Sequence, residues 1–109
     1  MVTQIRSEAT RMLSDIDGDR RFFCQDGHVI KNLAELVDCL NRMPEDVFHY
    51  HVTPEKNDFS NWIRDVLGDE ILAGKLTNAR TPLEASKIVA NKMAWLQRNR
   101  QIHHLNTGK

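Results

Sequence analysis

Hydrophobic residues recur along most of the chain at the three- and four-residue spacing of an amphipathic helix. In the first segment Val2, Ile5, Ala9 and Met12 follow this spacing, with charged residues between them. The same pattern returns four more times. The predicted helices cover residues 2–14, 32–43, 57–68, 69–76 and 81–101.

Several of these segments begin or end at residues that favour a helix terminus. Asn32 followed by Glu35, and Thr81 followed by Glu84, predict capping boxes in which paired side chains bond the first backbone N–H groups. Gly68 can adopt the left-handed conformation that closes a helix. These residues predict the helix limits independently of the hydrophobic pattern.

Two short runs of a different kind lie between the first and second helices. Residues 21–25 and 28–31 are rich in aromatic and β-branched side chains, and Asp26-Gly27 separates them. This dipeptide favours the two-residue type I′ turn of a β-hairpin. The sequence therefore predicts a hairpin over residues 21–31.

Residues 46–52 are interpreted as a third strand, because two sets of side chains alternate along them. His49 and His51 would point to one face, and Phe48 and Tyr50 to the other. The predicted element order is then α-β-β-α-β-α-α-α. This order predicts an α+β fold, in which a small three-stranded sheet (the hairpin plus one strand) packs against four to five helices.

The chain length of 109 residues favours a single hydrophobic core. We expect an N-terminal helix and polar linker over residues 1–20, a single α+β domain over 21–101 and a flexible tail over 102–109. Fifteen basic residues balance fifteen acidic ones, so the net charge provides no general attraction to nucleic acid or membranes. No apolar run approaches the roughly 20 residues of a membrane span, and a cytoplasmic location is expected. Cys24 and Cys39 are expected to be free, buried thiols.

The predicted binding surface is the junction between the third strand and the next helix. His51, Asn57 and Asp58 cluster there, where polar side chains and backbone N–H groups are often displayed together. A structural clamp across the loop is the favoured interpretation of this cluster, and a binding surface is the alternative. His49 and His51, two residues apart on a strand, could also approach a common metal ion. Candidates for its further ligands are His28, Cys24 and Asp58.

The sequence contains no complete catalytic set. A Gly-rich phosphate loop, an HExxH helix and a GxSxG nucleophile elbow are all missing from it, and no cofactor is expected. Trp62 and Trp95 are predicted to be core residues. A set of basic residues is a weak candidate for nucleic-acid contact. It comprises Arg98, Arg100, His103, His104 and Lys109, with Arg20 and Arg21 before the hairpin.

Three motifs extend through the middle of the chain. They are Phe48-x-Tyr50-His51-Val52, Asn57-Asp58-Phe59-x-x-Trp62-Ile63 and Gly68-Asp69-x-x-Leu72-Ala73, accompanied by Phe23, Gly27, Leu33, Leu36 and Leu40. Together, from Phe22 to about Leu96, they resemble a family of small archaeal and bacterial domains of unknown function. Members of that family occur as stand-alone proteins and attached to some carbohydrate-active enzymes. The resemblance implies no known activity, and a domain with this distribution is more naturally a binding or regulatory module.

The function predicted from the sequence is that of a small protein-interaction or regulatory module without catalytic activity. It would bind and modulate a partner protein, with enzymes among the candidates. A metal or small-ligand binder that uses His49, His51 and Asp58 is the second hypothesis, and weak nucleic-acid binding is the third. A free sheet edge would also allow a homodimer.

Overall fold

Six α-helices make up most of the protein, and one short hairpin forms the only sheet among the residues described. The computed structural model describes residues 2–107, with side chains for residues 7–100. The helices are α1 (Val2–Leu13), α2 (Leu33–Arg42), α3 (Glu45–His51), α4 (Asp58–Trp62), α5 (Glu70–Leu76) and α6 (Pro82–Thr107). The strands are β1 (Phe22–Phe23) and β2 (Val29–Ile30), and single turns of 3-10 helix and π-helix occupy Gly18–Arg20 and Ile63–Leu67.

The N-terminal helix predicted from residues 2–14 is confirmed as α1. Its Ala9 and Met12 are buried, and the helix packs against α6 and α2. Arg11 Nη1 donates a hydrogen bond to the carbonyl oxygen of Leu67 at 3.1 Å, and Arg20 donates to that of Val66. These bonds occupy carbonyl groups that a helix end leaves without a partner. The predicted divisions after residues 20 and 101 stay predictions.

The hairpin is confirmed, although its turn differs from the predicted one. Phe22 pairs with Ile30, and Phe23 pairs with Val29. The backbone N–H of Cys24 donates to the carbonyl oxygen of residue 28 at 2.8 Å, so three residues form the loop. A type I′ turn needs two residues with positive φ, but among the described loop residues only Gly27 has one, at 98°. The predicted two-residue type I′ turn is therefore wrong.

Both predicted helix caps form at the expected residues. Asn32 Oδ1 accepts a hydrogen bond from the backbone N–H of Glu35 at 2.8 Å, and Thr81 Oγ1 accepts from that of Glu84 at 3.1 Å. In each case the glutamate carboxylate accepts a hydrogen bond from the backbone N–H of the residue before the cap, rather than from that of the cap itself. Helix α6 continues to Thr107, beyond its predicted end near residue 101.

The predicted third strand is wrong, because residues 45–51 form helix α3. The segment is short, and its apolar positions fit the two-residue period of a strand and the 3.6-residue period of a helix equally well. Val47, Phe48 and His51 are buried together, which is the i, i+1, i+4 spacing of one helix face. The acidic Glu45 and Asp46 lie in the first turn, where they interact favourably with the helix dipole. The fold is consequently mainly helical with a two-stranded antiparallel sheet, and the three-stranded α+β arrangement does not occur.

The core draws buried side chains from every helix and from the hairpin. Phe59 lies at its centre, with its ring 4.9 Å from that of Phe22 and 5.8 Å from that of Phe48. Trp62 is buried as predicted, and its Nε1–H donates to a backbone carbonyl of the 3-10 turn. Across the part of the chain that is described, no helix has the length and apolar composition needed to cross a membrane.

Candidate functional site

His51, one of the four predicted site residues, lies inside the protein. Only 4% of its surface is exposed. Its ring packs against those of Phe22 and Phe59, at centroid distances of 5.1 and 5.3 Å. Because α3 is a helix, residue 51 faces the same interior as Val47 and Phe48. His51 therefore presents almost none of its surface to solvent, and its predicted binding role stays a prediction.

Both ring nitrogens of His51 are engaged by other parts of the chain. The backbone N–H of Gln25 donates to Nε2 at 3.0 Å, and Nδ1 lies 2.9 Å from Oδ2 of Asp58. Since Nε2 accepts a hydrogen bond, the proton of the neutral ring sits on Nδ1 and is donated to Asp58. The imidazole thus joins the hairpin loop to helices α3 and α4, as the clamp interpretation expects.

Asp58 receives a second hydrogen bond from the loop before its helix. Lys56 Nζ lies 2.8 Å from the same carboxylate oxygen that His51 contacts. Burial raises the pKa of Asp58, but the hydrogen bonds from Lys56 and His51 outweigh it and hold the pKa below the ordinary value of 3.8. The carboxylate is therefore ionised at neutral pH, and its charge is already paired.

His49 lies apart from His51, so the predicted pair does not form. Residues two apart on an α-helix are separated by about 200° around its axis. His49 is exposed, with Nε2 at 3.5 Å from Oε1 of Glu45. His28 is also exposed and contacts Asp26 in the hairpin loop. Among the described residues, no group of three or more His, Cys, Asp or Glu side chains is placed to hold a metal ion.

Asn57 caps helix α4 and ties it to α5. Its Oδ1 accepts from the backbone N–H of Ser60 at 3.0 Å, and its Nδ2 donates to the carbonyl oxygen of Leu76 at 3.1 Å. Asn57 and His49 both line an open groove of about 600 Å³, which we name the junction groove. Its other polar residues include Lys56, Asn61, Arg64 and Arg80.

The two cysteines are free thiols, as expected. Burial is the main cause that raises the pKa of Cys24, and it raises the pKa of Cys39 to about 11. Cys24 is buried and Cys39 is partly buried. A thiol with a raised pKa carries little thiolate at neutral pH, so neither side chain is an activated nucleophile.

A second groove, between helices α5 and α6, is the feature that sequence reasoning missed. This α5–α6 groove has a volume of about 360 Å³. Two large hydrophobic side chains at its edge face solvent: Ile71 is 74% exposed and Trp95 is 42% exposed. Trp95 is therefore only partly buried, contrary to the prediction of a core residue. Its apolar and cationic lining residues include Ile71, Lys75, Ile88, Lys92, Trp95 and Arg98.

Lys92 contacts the Trp95 ring within this groove. Its Nζ lies 4.7 Å from the centroid of the indole, within the range of a cation–π contact. The same ammonium lies 3.1 Å from Oδ2 of the largely buried Asp69, at an angle that makes an ion pair without a hydrogen bond. Asp69 Oδ1 meanwhile caps helix α5. Lys92 therefore links the start of α5 to the exposed tryptophan of α6.

Charge is distributed unevenly around this groove. All fifteen acidic residues of the chain lie at or before Glu84, together with ten of the fifteen basic residues. The remaining five basic residues all follow residue 84, where no acidic residue occurs. Helix α6 is consequently basic, and the rest of the chain is acidic. His103, His104 and Lys109 of the predicted basic cluster lie outside the described side chains.

Four other large hydrophobic side chains are exposed among the described residues, and Leu83 on helix α6 is one of them. Phe23 and Val29 form a cross-strand pair on the outer face of the hairpin, and Tyr50 lies on α3 with Lys56 Nζ 5.3 Å from its ring centroid. This hairpin face offers a second apolar pair for comparison with the α5–α6 groove.

Comparison with known proteins shows which family the chain resembles. A family model described as a family of unknown function, DUF5752, matches residues 22–98. The matched stretch contains α2 to α5, the hairpin and most of α6. Neither the curated proteins nor the solved structures contain a significant match to the chain.

Proposed function

We propose that this chain, which belongs to the DUF5752 family of unknown function, is a protein-interaction module that docks a partner protein on its α5–α6 groove. The partner would be modulated by docking, with enzymes among the candidates, and cytoplasmic action is expected. The proposal assigns no catalytic step to the chain itself.

One observation carries the proposal: two large hydrophobic side chains stand exposed at the edge of a groove between two helices. Ile71 and Trp95 are 74% and 42% exposed, although most residues of this size are buried in a protein of this length. Tryptophan and arginine are the residues that most often dominate binding energy at protein interfaces, and Arg98 lies one turn from Trp95. The groove therefore has the composition of an interface centre.

The contact of Lys92 with the Trp95 ring supports the same interpretation. A side chain that is already ordered loses less conformational entropy when a partner binds. The ion pair between Lys92 and Asp69 and the cation–π contact of Lys92 with the indole supply that order. The exposed tryptophan would therefore lose less conformational entropy when a partner binds.

Affinity capture from native lysate tests the proposal. The tagged full chain is compared with Ile71→Ser/Trp95→Ala and with Phe23→Ser/Val29→Ser, which removes the other exposed apolar pair. Because interface anchors each contribute about 2 kcal/mol or more, we expect the groove variant to bind a specific partner more than about tenfold more weakly. The hairpin variant should retain it.

Circular dichroism of both variants provides the control for folding. A partner that depends on the hairpin pair and not on the groove pair would contradict the proposed surface. A partner retained by both variants, or no specific partner in the wild type, would contradict it equally.

A small-ligand function is the second candidate, and the junction groove favours it. Lys56, Arg64 and Arg80 line this groove, with Glu55 as its one acidic lining residue. Lys56 and Arg64 are paired with Asp58 and Asp65, so Arg80 would be the main contact of a small anion. Titration of the protein with phosphate, sulfate and small carboxylates, followed by the NMR signals of the Asn57 and Asn61 side chains, tests this function. Saturable shifts that Arg80→Ala weakens are expected, and unchanged spectra would contradict it.

A further inference from the structure

We infer that the α5–α6 groove binds an acidic amphipathic helix of the partner protein, an inference that rests on the proposed interaction function. The shape and the charge of this helix both follow from the residues that line the groove.

The shape of the groove favours a helix. On α6 the lining residues Ile88, Lys92 and Trp95 follow one another at intervals of four and three residues, which places them along one stripe of that helix. On α5 the lining residues Ile71 and Lys75 are four apart and share a face. Two neighbouring helices that present such stripes leave a furrow into which the side-chain ridge of a third helix packs.

The charge of the groove favours an acidic occupant. Three cationic side chains line it, and none of its lining residues is acidic. Lys92 is already paired with Asp69, whereas Lys75 and Arg98 are exposed and have no ion pair among the described side chains. An incoming helix with glutamates beside its apolar stripe would supply carboxylates to Lys75 and Arg98, the latter as a bidentate partner.

A nucleic acid fits the same cations less well. The residues before position 85 carry fifteen acidic side chains against ten basic ones, and they would repel an extended polyanion. Moreover, the groove edge is apolar, and a phosphate backbone gains nothing from contact with Ile71. An acidic protein helix uses both the cations and the apolar edge.

Synthetic peptides of about 18 residues, or five helical turns, test the inference on the full chain. One peptide carries leucines at i, i+3, i+4 and i+7 with glutamates on the flanking positions, and a matched peptide carries glutamine in place of each glutamate. We expect the glutamate peptide to bind at least about tenfold more tightly, with an advantage that falls as salt rises.

The two indole N–H signals in NMR spectra locate the binding. The Trp95 signal should shift with the glutamate peptide, whereas the Trp62 signal should not, because that indole is buried and bonded to Arg20. The double variant Lys75→Glu/Arg98→Glu should bind the glutamate peptide about tenfold or more weakly. It should bind the corresponding lysine peptide in its place, as a reversal of charge preference.

Several results would overturn the inference. Equal binding of the glutamate and glutamine peptides would show that charge does not determine binding. Absence of binding by both peptides would show that the groove does not bind an amphipathic helix. Tighter, Arg98-dependent binding of a single-stranded DNA would assign the surface to nucleic acid. A concentration-dependent dimer abolished by Lys75→Glu/Arg98→Glu would assign it to a second copy of the chain.

These outcomes are separable from failure of the proposed function. If the peptides fail while lysate capture still depends on Ile71 and Trp95, the acidic helix is wrong and the docking surface stands. If capture does not depend on that pair, the proposed function itself is wrong.

Discussion

His49 and His51 lie on the same helix in opposite surroundings, and their substitution separates a structural role from a surface one. His51→Ala removes two hydrogen bonds and ring contacts with Phe22 and Phe59. We expect it to lower the free energy of unfolding by about 2–4 kcal/mol, because a cavity forms and the N–H of Gln25 loses its acceptor.

The exposed His49 is the matched control on the same helix. His49→Ala should change the free energy of unfolding by less than about 0.5 kcal/mol. Urea denaturation of the two variants measures the difference. Equal effects would contradict the clamp that we assign to His51.

Asp58 gives the clamp a dependence on pH at acidic values. Its pKa in the folded protein lies below the ordinary value of 3.8, so the stability that it contributes is present above that pH. This stability is lost as the pH falls through the folded pKa. We expect Asp58→Asn to be less stable than the wild type at neutral pH, and the difference to shrink on acidification.

Urea denaturation from about pH 7 to about pH 2 measures this difference. Asp26, whose pKa is lowered by its bonds to His28, titrates in both proteins and cancels in the comparison. Wild-type and variant curves that run parallel across the whole range would show that Asp58 has no such contribution.

At the scale of elements, Gly68 before helix α5 and Gly74 within it should respond in opposite ways to substitution by alanine. Gly68 ends the π-helical turn at φ 76° and ψ 19°, in the left-handed region that alanine disfavours. Gly74 lies inside α5 with open space where a Cβ would be. We expect Gly68→Ala to destabilise the protein by about 1–2 kcal/mol and Gly74→Ala to stabilise it by about 0.5–1 kcal/mol.

Thermal denaturation followed by circular dichroism measures both glycine variants. Neither substitution meets a neighbouring atom within 4 Å, so the comparison isolates the backbone. A Gly68→Ala protein as stable as the wild type would mean that the chain leaves this helix in another conformation.

Helix limits proved predictable wherever local chemistry defines them. Asn32, Thr81 and Gly68 act within one turn of the backbone, and each performs the role that its type suggests. Residues 45–51 are different, because seven residues with mixed apolar and polar positions fit a strand and a helix alike. Packing of Phe48 and His51 into the core decides between them, and that information is distributed over the whole fold.

In the candidate site too, features set by local chemistry were predictable and features set by packing were not. Asn57 and Asp58 were predicted correctly as neighbours at a helix start, since capping is local. The pairing of His49 with His51 failed together with the strand on which it depended. The exposed edge of Trp95 could not be predicted, because its helical spacing matches that of core residues and its exposure depends on how α5 packs against α6.

At the scale of the whole molecule, neutral net charge conceals a division between an acidic body and a basic last helix. The groove between α5 and α6 lies where these two parts meet. Under the proposed function, we expect its exposed apolar edge to add affinity that charge alone would not supply. We propose that this groove, rather than the hairpin or the His51 junction, contacts a partner protein.

Site-specific photo-crosslinking in native lysate distinguishes these surfaces. Benzoylphenylalanine replaces Asn91, an exposed lining residue of the groove, in one protein and Val29 on the hairpin face in another. We expect a discrete crosslinked protein from position 91 and none from position 29, and competition by excess wild type but not by Trp95→Ala. Crosslinks from position 29 alone, or equal crosslinks from both positions, would contradict docking at the groove.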